Sequence, residues 1–491
     1  MSINRLIDYD VTILGGGISG SLLALNLKKK NPSLRILILD KGQKVSSKVG
    51  EATADLSSIF LNRFGINHLL EKQTKKTGLR FIFNEKNSFS KEHLEFASPS
   101  LKSFVNGYHL NRAKFDKELL LECEKIGISI LCPAELRDIE ISSTESEIFI
   151  HHKSQDIKLK TIWFIDASGN LRYLKKKLKW KDIEISLNTG AITAHFKNLQ
   201  SQSWDRGDSS YWTKKAIGSK EYSTTHFLKP YSWWWLIKLD ENTSSIGVVY
   251  DKNYIEFDNA DTFFNDSIKK DSILSKVTKN AKQSKINHIS SLPYISSKLH
   301  HDNVAVIGDS GAFIDPLFSP GLELICQQNE YLTFLLLDYF KNQKKNIRAW
   351  NKYENVFLKT YKDRAYVYNK LYNFMHSYDL FSNATQLLFF GYQTFAVLPL
   401  KYFHKKIKIP KSFKLLDRLV IDWVFNRFIK ISIKRKIQNR FSTSIKHPIY
   451  YSHVGIPNGI LYFFKPIQLA FLWLINYLKI EISEIYYFKK E

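Results

Sequence analysis

Apolar positions along this chain fall into runs whose period changes from one stretch to the next. Residues 11–14 and 36–39 are short, nearly unbroken apolar runs, the pattern of strands buried on both faces. Between them Leu22, Leu23, Leu25 and Leu27 mark a helical segment. Val304 to Asp309 reads as another buried strand. Leu56, Ile59, Phe60, Phe64 and Leu69 form an apolar stripe that predicts a helix over 55–70. Residues 78–83 read as a strand, a helix opens at Asn111 and runs through Glu124, and strands follow at 128–131, 148–152 and 157–166. From about 180 to 300 the pattern is β-rich, with runs at 189–196, 222–229, 233–239 and 245–250. Asp240-Glu241-Asn242-Thr243 reads as the hairpin turn between the last two. Beyond 322 the chain reads as largely helical and rich in Tyr, Phe and Lys.

The first two strands and the helix between them carry the first chemical signal. Strand 11–14 ends in Gly15-Gly16-Gly17-Ile18-Ser19-Gly20, a G-x-G-x-x-G, and the next strand ends on Asp40, about 20 residues past the last glycine. This order is that of a dinucleotide-binding unit. Gly15 makes the turn, Gly17 lets backbone approach a pyrophosphate, and Gly20 lets helix pack on strand. The helix start offers free N–H groups to phosphate, and Asp40 is placed for the ribose hydroxyls.

Totals narrow the classes. The chain has 491 residues, 44% of them hydrophobic, enough for a large core. Cys123, Cys132 and Cys326 form no C-x-x-C pair, so neither a disulfide framework nor a thiolate metal site is expected. The histidine pairs 151–152 and 300–301 are adjacent and cannot face one ion from a strand. Against 47 acidic residues stand 72 Lys and Arg, a net charge of +25. That surplus favours anionic partners, yet no nucleic-acid-binding motif accompanies it, and compositional bias explains the scattered lysines more simply. The first strand begins almost at once, so no signal peptide is read and a cytoplasmic location is expected. Residues 459–478 are strongly apolar but interrupted by Lys465, Pro466, Gln468 and Asn476. They read either as a packed helix or as an interfacial one giving peripheral contact at the inner face of a membrane.

Several separate stretches resemble one family. The glycine motif, Val49-Gly50-Glu51-Ala52-Thr53, Asp166-Ala167-Ser168-Gly169, Trp233-x-Trp235-x-Ile237, Gly308-Asp309 and Asp315-Pro316-Leu317-Phe318-Ser319-Pro320-Gly321 are similar to the flavin-dependent halogenases. These belong among FAD monooxygenases shaped like p-hydroxybenzoate hydroxylase, and the resemblance covers about 9–330. It implies an α/β fold, a Rossmann-type FAD-binding domain with an inserted antiparallel β-sheet substrate domain and a helical C-terminal region. The expected bounds are 1–180 for the first part of the FAD domain, 181–300 for the substrate domain, 301–335 for the return segment and 336–491 for the helical region. FAD is then expected on Gly15, Gly17, Gly20, Asp40, Glu51, Ala52, Arg112, Asp166, Gly308, Asp309, Pro316 and Gly321. For Arg112 a helix-capping role with Asn111 and Asp116 is an equal reading.

The resemblance implies that reduced FAD, supplied by a separate flavin reductase, turns oxygen and halide into hypohalous acid. A lysine then delivers the halogen to an electron-rich ring, and Lys76-Thr77-Gly78-Leu79-Arg80-Phe81 matches the setting of that lysine. Lys76 sits in a basic run, so a plain surface lysine is the alternative. Trp233 and Trp235 would form a wall between flavin and substrate; the alternative is an aromatic strand packed in the core. Halide is expected at Ser319 and Gly321. Two departures stand out: Lys238 replaces the usual proline after Trp-x-Trp-x-Ile, and Pro320 has no N–H to offer a halide. Phe318 stands where tryptophan halogenases carry a glutamate, which points to a phenol, resorcinol or pyrrole, free or tethered to an acyl carrier protein. Glu323 is expected to face the following helix. Competing readings are an FAD oxygenase on the same scaffold that uses no halide, and a membrane-associated or carrier-binding flavoprotein.

Overall fold

A computed structural model describes residues 8–42, 49–83, 94–99, 107–200, 220–392, 413–437, 470–471, 473–482 and 484. The chain divides into two compact units, one of Met1–Gln73, Leu110–Ile185 and Leu292–Ala365, the other of Thr74–His109, Ser186–Ser291 and Tyr366–Glu491.

The first unit is built on a mainly parallel sheet. Its strands lie in the order His300–His301, Val304–Val306, Gln155–Asp166, Tyr9–Leu14, Ile36–Leu39 and Ser129–Leu131. Only the His300–His301 pairing in this row is antiparallel. Such strands are covered on both faces, which is why their sequences are continuous apolar runs. The chain leaves Tyr9–Leu14 for Ile36–Leu39 on one side and returns on the other with Gln155–Asp166. That reversal makes the carboxyl end of Tyr9–Leu14 a topological switch point, where doubly wound sheets take their ligands. Helix Ile18–Lys30 packs against helix Pro320–Asn342. The first half of Gln155–Asp166 pairs instead with Ser146–His152, which extends to Ala134–Ile141 in an antiparallel meander.

The second unit holds a sheet ordered Lys282–Gln283, Thr189–Lys197, Thr243–Asp251, Ser232–Lys238, Thr224–Lys229, Gly78–Phe83 and Leu94–Pro99. All its pairs are antiparallel except Thr224–Lys229 with Gly78–Phe83. Residues on one face, among them Phe227, Trp234, Leu236, Ile246 and Val248, form a core with Phe264, Ile268 and Leu274 from helices Ala260–Lys270 and Leu274–Val277. The pleat sends their neighbours Phe81, His226, Trp233 and Trp235 to the opposite face. There Phe81 meets Phe381 edge-on and Trp233 Nε1 donates to Tyr372 Oη at 3.1 Å.

Most predicted elements fall within a residue or two of their strands and helices. The helix expected over 55–70 is two, Asp55–Arg63 and Asn67–Leu70, because Gly65 turns the chain with φ +72°. The run expected to reach Asp309 as strand ends at Val306, and Gly308 (φ +63°) starts a tight turn. Thr74–His109 was expected within the first domain, yet it packs in the second unit because Gly78–Phe83 finds its partner in Thr224–Lys229, far along the chain. Residues up to Ala365 stay with the first unit. Of the apolar stretch 459–478, residues 459–469 lie outside the described ones.

Trp235 lies flat across Gly247, its cross-strand neighbour, and a Cβ there would collide with the indole ring. Gly247→Ala is therefore expected to destabilise the protein by about 1–3 kcal/mol through overpacking, read as a lower melting temperature.

Candidate functional site

In the first unit, the carboxyl ends of the parallel strands gather most of the residues expected to hold a nucleotide. Gly15 has φ +111°, and a Cβ there would stand 2.5 Å from the Ala167 carbonyl oxygen, so only glycine makes this turn. Helix Ile18–Lys30 starts at Gly17 with no side-chain cap and no acidic residue in its first turn. Its first turn therefore offers uncapped N–H groups and a positive dipole end of the kind a pyrophosphate takes. Gly20 sits where helix crosses strand, and a Cβ would strike the Gly15 carbonyl. Asp40 shapes the mouth of the turn: Gly16 N–H donates to Oδ2 at 2.8 Å and Gly42 N–H to Oδ1 at 2.8 Å.

Asp166 is fully buried and accepts from Ser168 N–H at 2.9 Å and Leu174 N–H at 2.8 Å. Its carboxylate thus shapes the adjoining loop, and burial pushes its pKa up. Gly308 N–H donates to Gln328 Oε1, and Tyr294 Oη donates to the Asp309 carbonyl at 2.6 Å. Arg172 lies 4.0 Å over the Tyr294 ring. Burial pushes the Asp309 carboxyl up to about 6, against the pull of Arg112. Arg112 pairs with Asp116 at 2.8 and 3.0 Å and donates to the carbonyls of Val49 and Gly50 at 3.1 and 3.3 Å. Burial works against its charge, but Asp116, Asp309 and Glu51 outweigh it and hold the pKa above the ordinary value. Asn111 caps the helix Arg112–Lys125, accepting from Lys114 N–H. Capping and clamping thus fall to different residues. Glu51 and Ala52 are buried beside this clamp, the Glu51 carbonyl taking Leu110 N–H at 2.7 Å.

The loop before helix Pro320–Asn342 places Phe318 and Ser319 in succession at φ +66° and +58°. Two left-handed non-glycine residues in a row store strain of the kind found at working sites. Ser319 N–H turns back to the Pro316 carbonyl at 2.8 Å. No side chain caps the helix, and a Cβ on Gly321 would meet nothing within 4 Å. Glu323 is buried against Arg364 at 2.7 Å and Gln327 at 3.0 Å, facing helices as expected. The donor set suits FAD: an uncapped helix start, a glycine-only cradle, and a buried carboxyl with a fixed guanidinium beside it.

Lys76, Trp233 and Trp235 belong to the second unit. Strand Thr74–Lys76 pairs with Gly107–His109, and the Lys76 stem lies across Gly107, 3.4 Å from where its Cβ would be. The three tryptophans divide as the pleat demands. Trp234 joins the core, while Trp233 and Trp235 share the other face with ring centroids 5.8 Å apart. Trp235 Nε1 donates to Ser245 Oγ at 3.0 Å. His226 stacks on Phe81 at 4.6 Å and stands 5.5 Å from Trp233. The charge of Lys76 reaches both His226 and His109. Burial first, and Lys76 second for His109, drive each imidazole down to about 3, so both are neutral. His109 is fixed by the Lys238 carbonyl at 3.0 Å and Thr224 Oγ1 at 2.9 Å. Neither histidine, nor Tyr294 and Arg172, was singled out in the sequence; isolated His and Tyr in strands carry no spacing signal. Among the described residues no group of three or more His, Cys, Asp and Glu could hold a metal.

The family model described as tryptophan halogenase matches residues 70–371. A 1H-pyrrole-2-carbonyl peptidyl-carrier-protein chlorinase of Pseudomonas fluorescens is 26% identical over 374 residues, 71% of this chain and 80% of the relative. The corresponding brominase of Pseudoalteromonas luteoviolacea is 24% identical over 65% of this chain and 75% of its own. Among solved structures, halogenase PltM superposes with a TM-score of 0.74 at 21% identity, covering 88% of this chain and 93% of that one. PltM in complex with phloroglucinol and FAD gives 0.72 at 20% identity, over 88% and 93%. The chain therefore belongs to the tryptophan halogenase family, a family of flavin-dependent oxidoreductases.

Proposed function

We propose that this protein is an FADH2- and O2-dependent halogenase of an electron-rich aromatic compound, a phenol, resorcinol or pyrrole, free or tethered to a carrier protein. The observation that carries the reading is the pair of buried indoles Trp233 and Trp235 on one face, 5.8 Å apart, with His226 standing 5.5 Å from Trp233 and within electrostatic reach of Lys76. FAD, when bound and reduced by a separate reductase, supplies hypohalous acid from oxygen and halide. Gly15, Gly17 and Gly20 cradle its pyrophosphate, and Asp309 with Arg112 holds the chain beyond it. Ser319 and Gly321 hold halide at the uncapped helix start. The Lys76 ammonium donates a hydrogen bond to the oxygen of the hypohalous acid and fixes it near the ring to be attacked. The O–halogen bond breaks as a C–halogen bond forms, and the displaced ring proton leaves with hydroxide as water. The neutral His226 and His109 keep two further positive charges out of this environment. Phe318 offers no carboxylate to activate the ring, so the substrate activates itself through its own hydroxyl or ring nitrogen. The pyrrole and phloroglucinol named for the relatives are rings of that class.

A second reading has one specific support. Pro320 contributes no N–H at the helix start, which leaves fewer donors for halide than a non-proline residue would. On that reading the enzyme oxygenates its ring and halide plays no part.

Purified protein given FAD, a flavin reductase, NADH, oxygen and bromide is expected to add halogen mass to phloroglucinol or a pyrrole. A single oxygen gain, equal with and without halide, selects the second reading. Lys76→Ala is expected to lower halogenated product at least about 100-fold while leaving the oxidation of reduced flavin intact. Retained halogenation ends the Lys76 assignment.

Buried histidines also set an acid limit. Their folded pKa of about 3 lies below the unfolded value, so the unfolded state takes up protons first. Stability present above about pH 6.5 is therefore lost as pH falls toward 3. His226→Gln is expected to flatten the fall in melting temperature between pH 6.5 and 4 relative to the parent.

A further inference from the structure

Two helical segments near the C-terminal end of the second unit run side by side, Phe413–Ile437 and 473–482. Trp423 stands 5.3 Å from Tyr477, and Arg427 forks onto Glu481 at 2.9 and 2.7 Å. Further on, Arg435 bridges Asp379 and Glu484 at 2.9 and 2.8 Å. Partner numbers rise together, so the two segments point the same way. The later segment is held through one face: Asn476, Tyr477 and Ile480 are buried, and Asn476 bonds Gln386 at 3.1 Å.

Its opposite face is apolar. Phe471, Leu474, Leu478 and Ile482 recur at i, i+3, i+7 and i+11 and are 62, 43, 48 and 63% exposed. Beside them Leu419 and Trp423 stand one turn apart, 58 and 60% exposed. Leu478 follows the residue that Trp423 touches, so the two sets adjoin. A patch of this size on a soluble surface marks something that covers it. Lys430 lies on the Trp423 face two turns on, and Lys479 flanks the Leu474–Leu478 stripe; both are exposed. The nearby carboxylates are engaged, Asp422 with Lys370 and Glu481 with Arg427. Over the whole chain the surplus is +25.

We propose that this paired-helix face docks on an anionic lipid surface, the helices lying in the interfacial plane. Apolar side chains with a tryptophan enter the headgroup boundary while lysines meet the phosphates. No described helix is long and apolar enough to cross a membrane, so an in-plane seat is what this face provides. A second copy is a poorer occupant, because a self-complementary contact would set Lys430 and Lys479 against their own kind. The inference is independent of the chemistry proposed for Lys76.

The test uses the full-length protein with vesicles of phosphatidylcholine alone or mixed equally with phosphatidylglycerol. Co-sedimentation is expected with the anionic vesicles and not with the neutral ones. Leu474→Glu combined with Leu478→Glu is expected to weaken binding about tenfold or more, as is Lys430→Glu with Lys479→Glu. Melting temperatures should match the parent, because all four side chains face solvent; should the leucine pair melt early, the lysine pair decides. Trp423→Phe should remove part of the fluorescence blue shift that vesicles induce. Unchanged binding in both pairs overturns the proposal. So does a dimer, or a complex with an acidic carrier protein, that these substitutions abolish while vesicle binding is absent.

Discussion

Neighbouring side chains on a strand cannot share a face, and the second unit is arranged around that constraint at Trp233-Trp234-Trp235. Trp234 anchors the core with Phe264 and Ile246, which fixes the register of the sheet. A slip of one residue would carry Trp233 and Trp235 into that core and move Trp234 to the opposite, also buried, face. Because register is so costly to change, the two outward indoles are held firmly, by Tyr372, Ser245 and the bare backbone of Gly247. Their placement is thus a by-product of burying the tryptophan between them.

Electrostatics in the two units run in opposite directions. In the first, burial raises the Asp309 carboxyl, and the guanidinium of Arg112, held by Asp116, pulls it back the other way. A carboxyl in that balance can accept hydrogen bonds from hydroxyl groups that reach it. In the second, His109 and His226 are stripped of charge by burial beside Lys76. The cation proposed as a hydrogen-bond donor is best kept away from other cations, and these two imidazoles stay neutral.

The strained pair Phe318 and Ser319 belongs to the same economy. Consecutive left-handed residues persist only where the surroundings overdetermine them. Here Pro320 locks the helix start and Asp315 takes Leu317 N–H at 2.9 Å. The result is an uncapped helix end with open space over Gly321. Proline both builds this end and removes one of its donors.

Local pattern alone determined the glycine turn, the apolar strands on either side of it and the hairpin at Asp240–Thr243, because each of these signals lies within a few residues; motifs spread along the chain carried the resemblance to the family. Strands 78–83 and 189–196 were legible for the same reason. What local pattern could not carry was partnership at long range. Gly78–Phe83 joins Thr224–Lys229, so Lys76 moved from the first expected domain into the unit of the tryptophans. Whether Trp233 and Trp235 lie in the core or across from it turned on register, which needs both neighbouring strands. Arg112 could be read as cap or clamp until its partners, Asp116 and the Val49 and Gly50 carbonyls, came together. Apolar stripes say that a helix has a face to bury; only the packed chain decides which face stays open, as at Leu474 and Leu478.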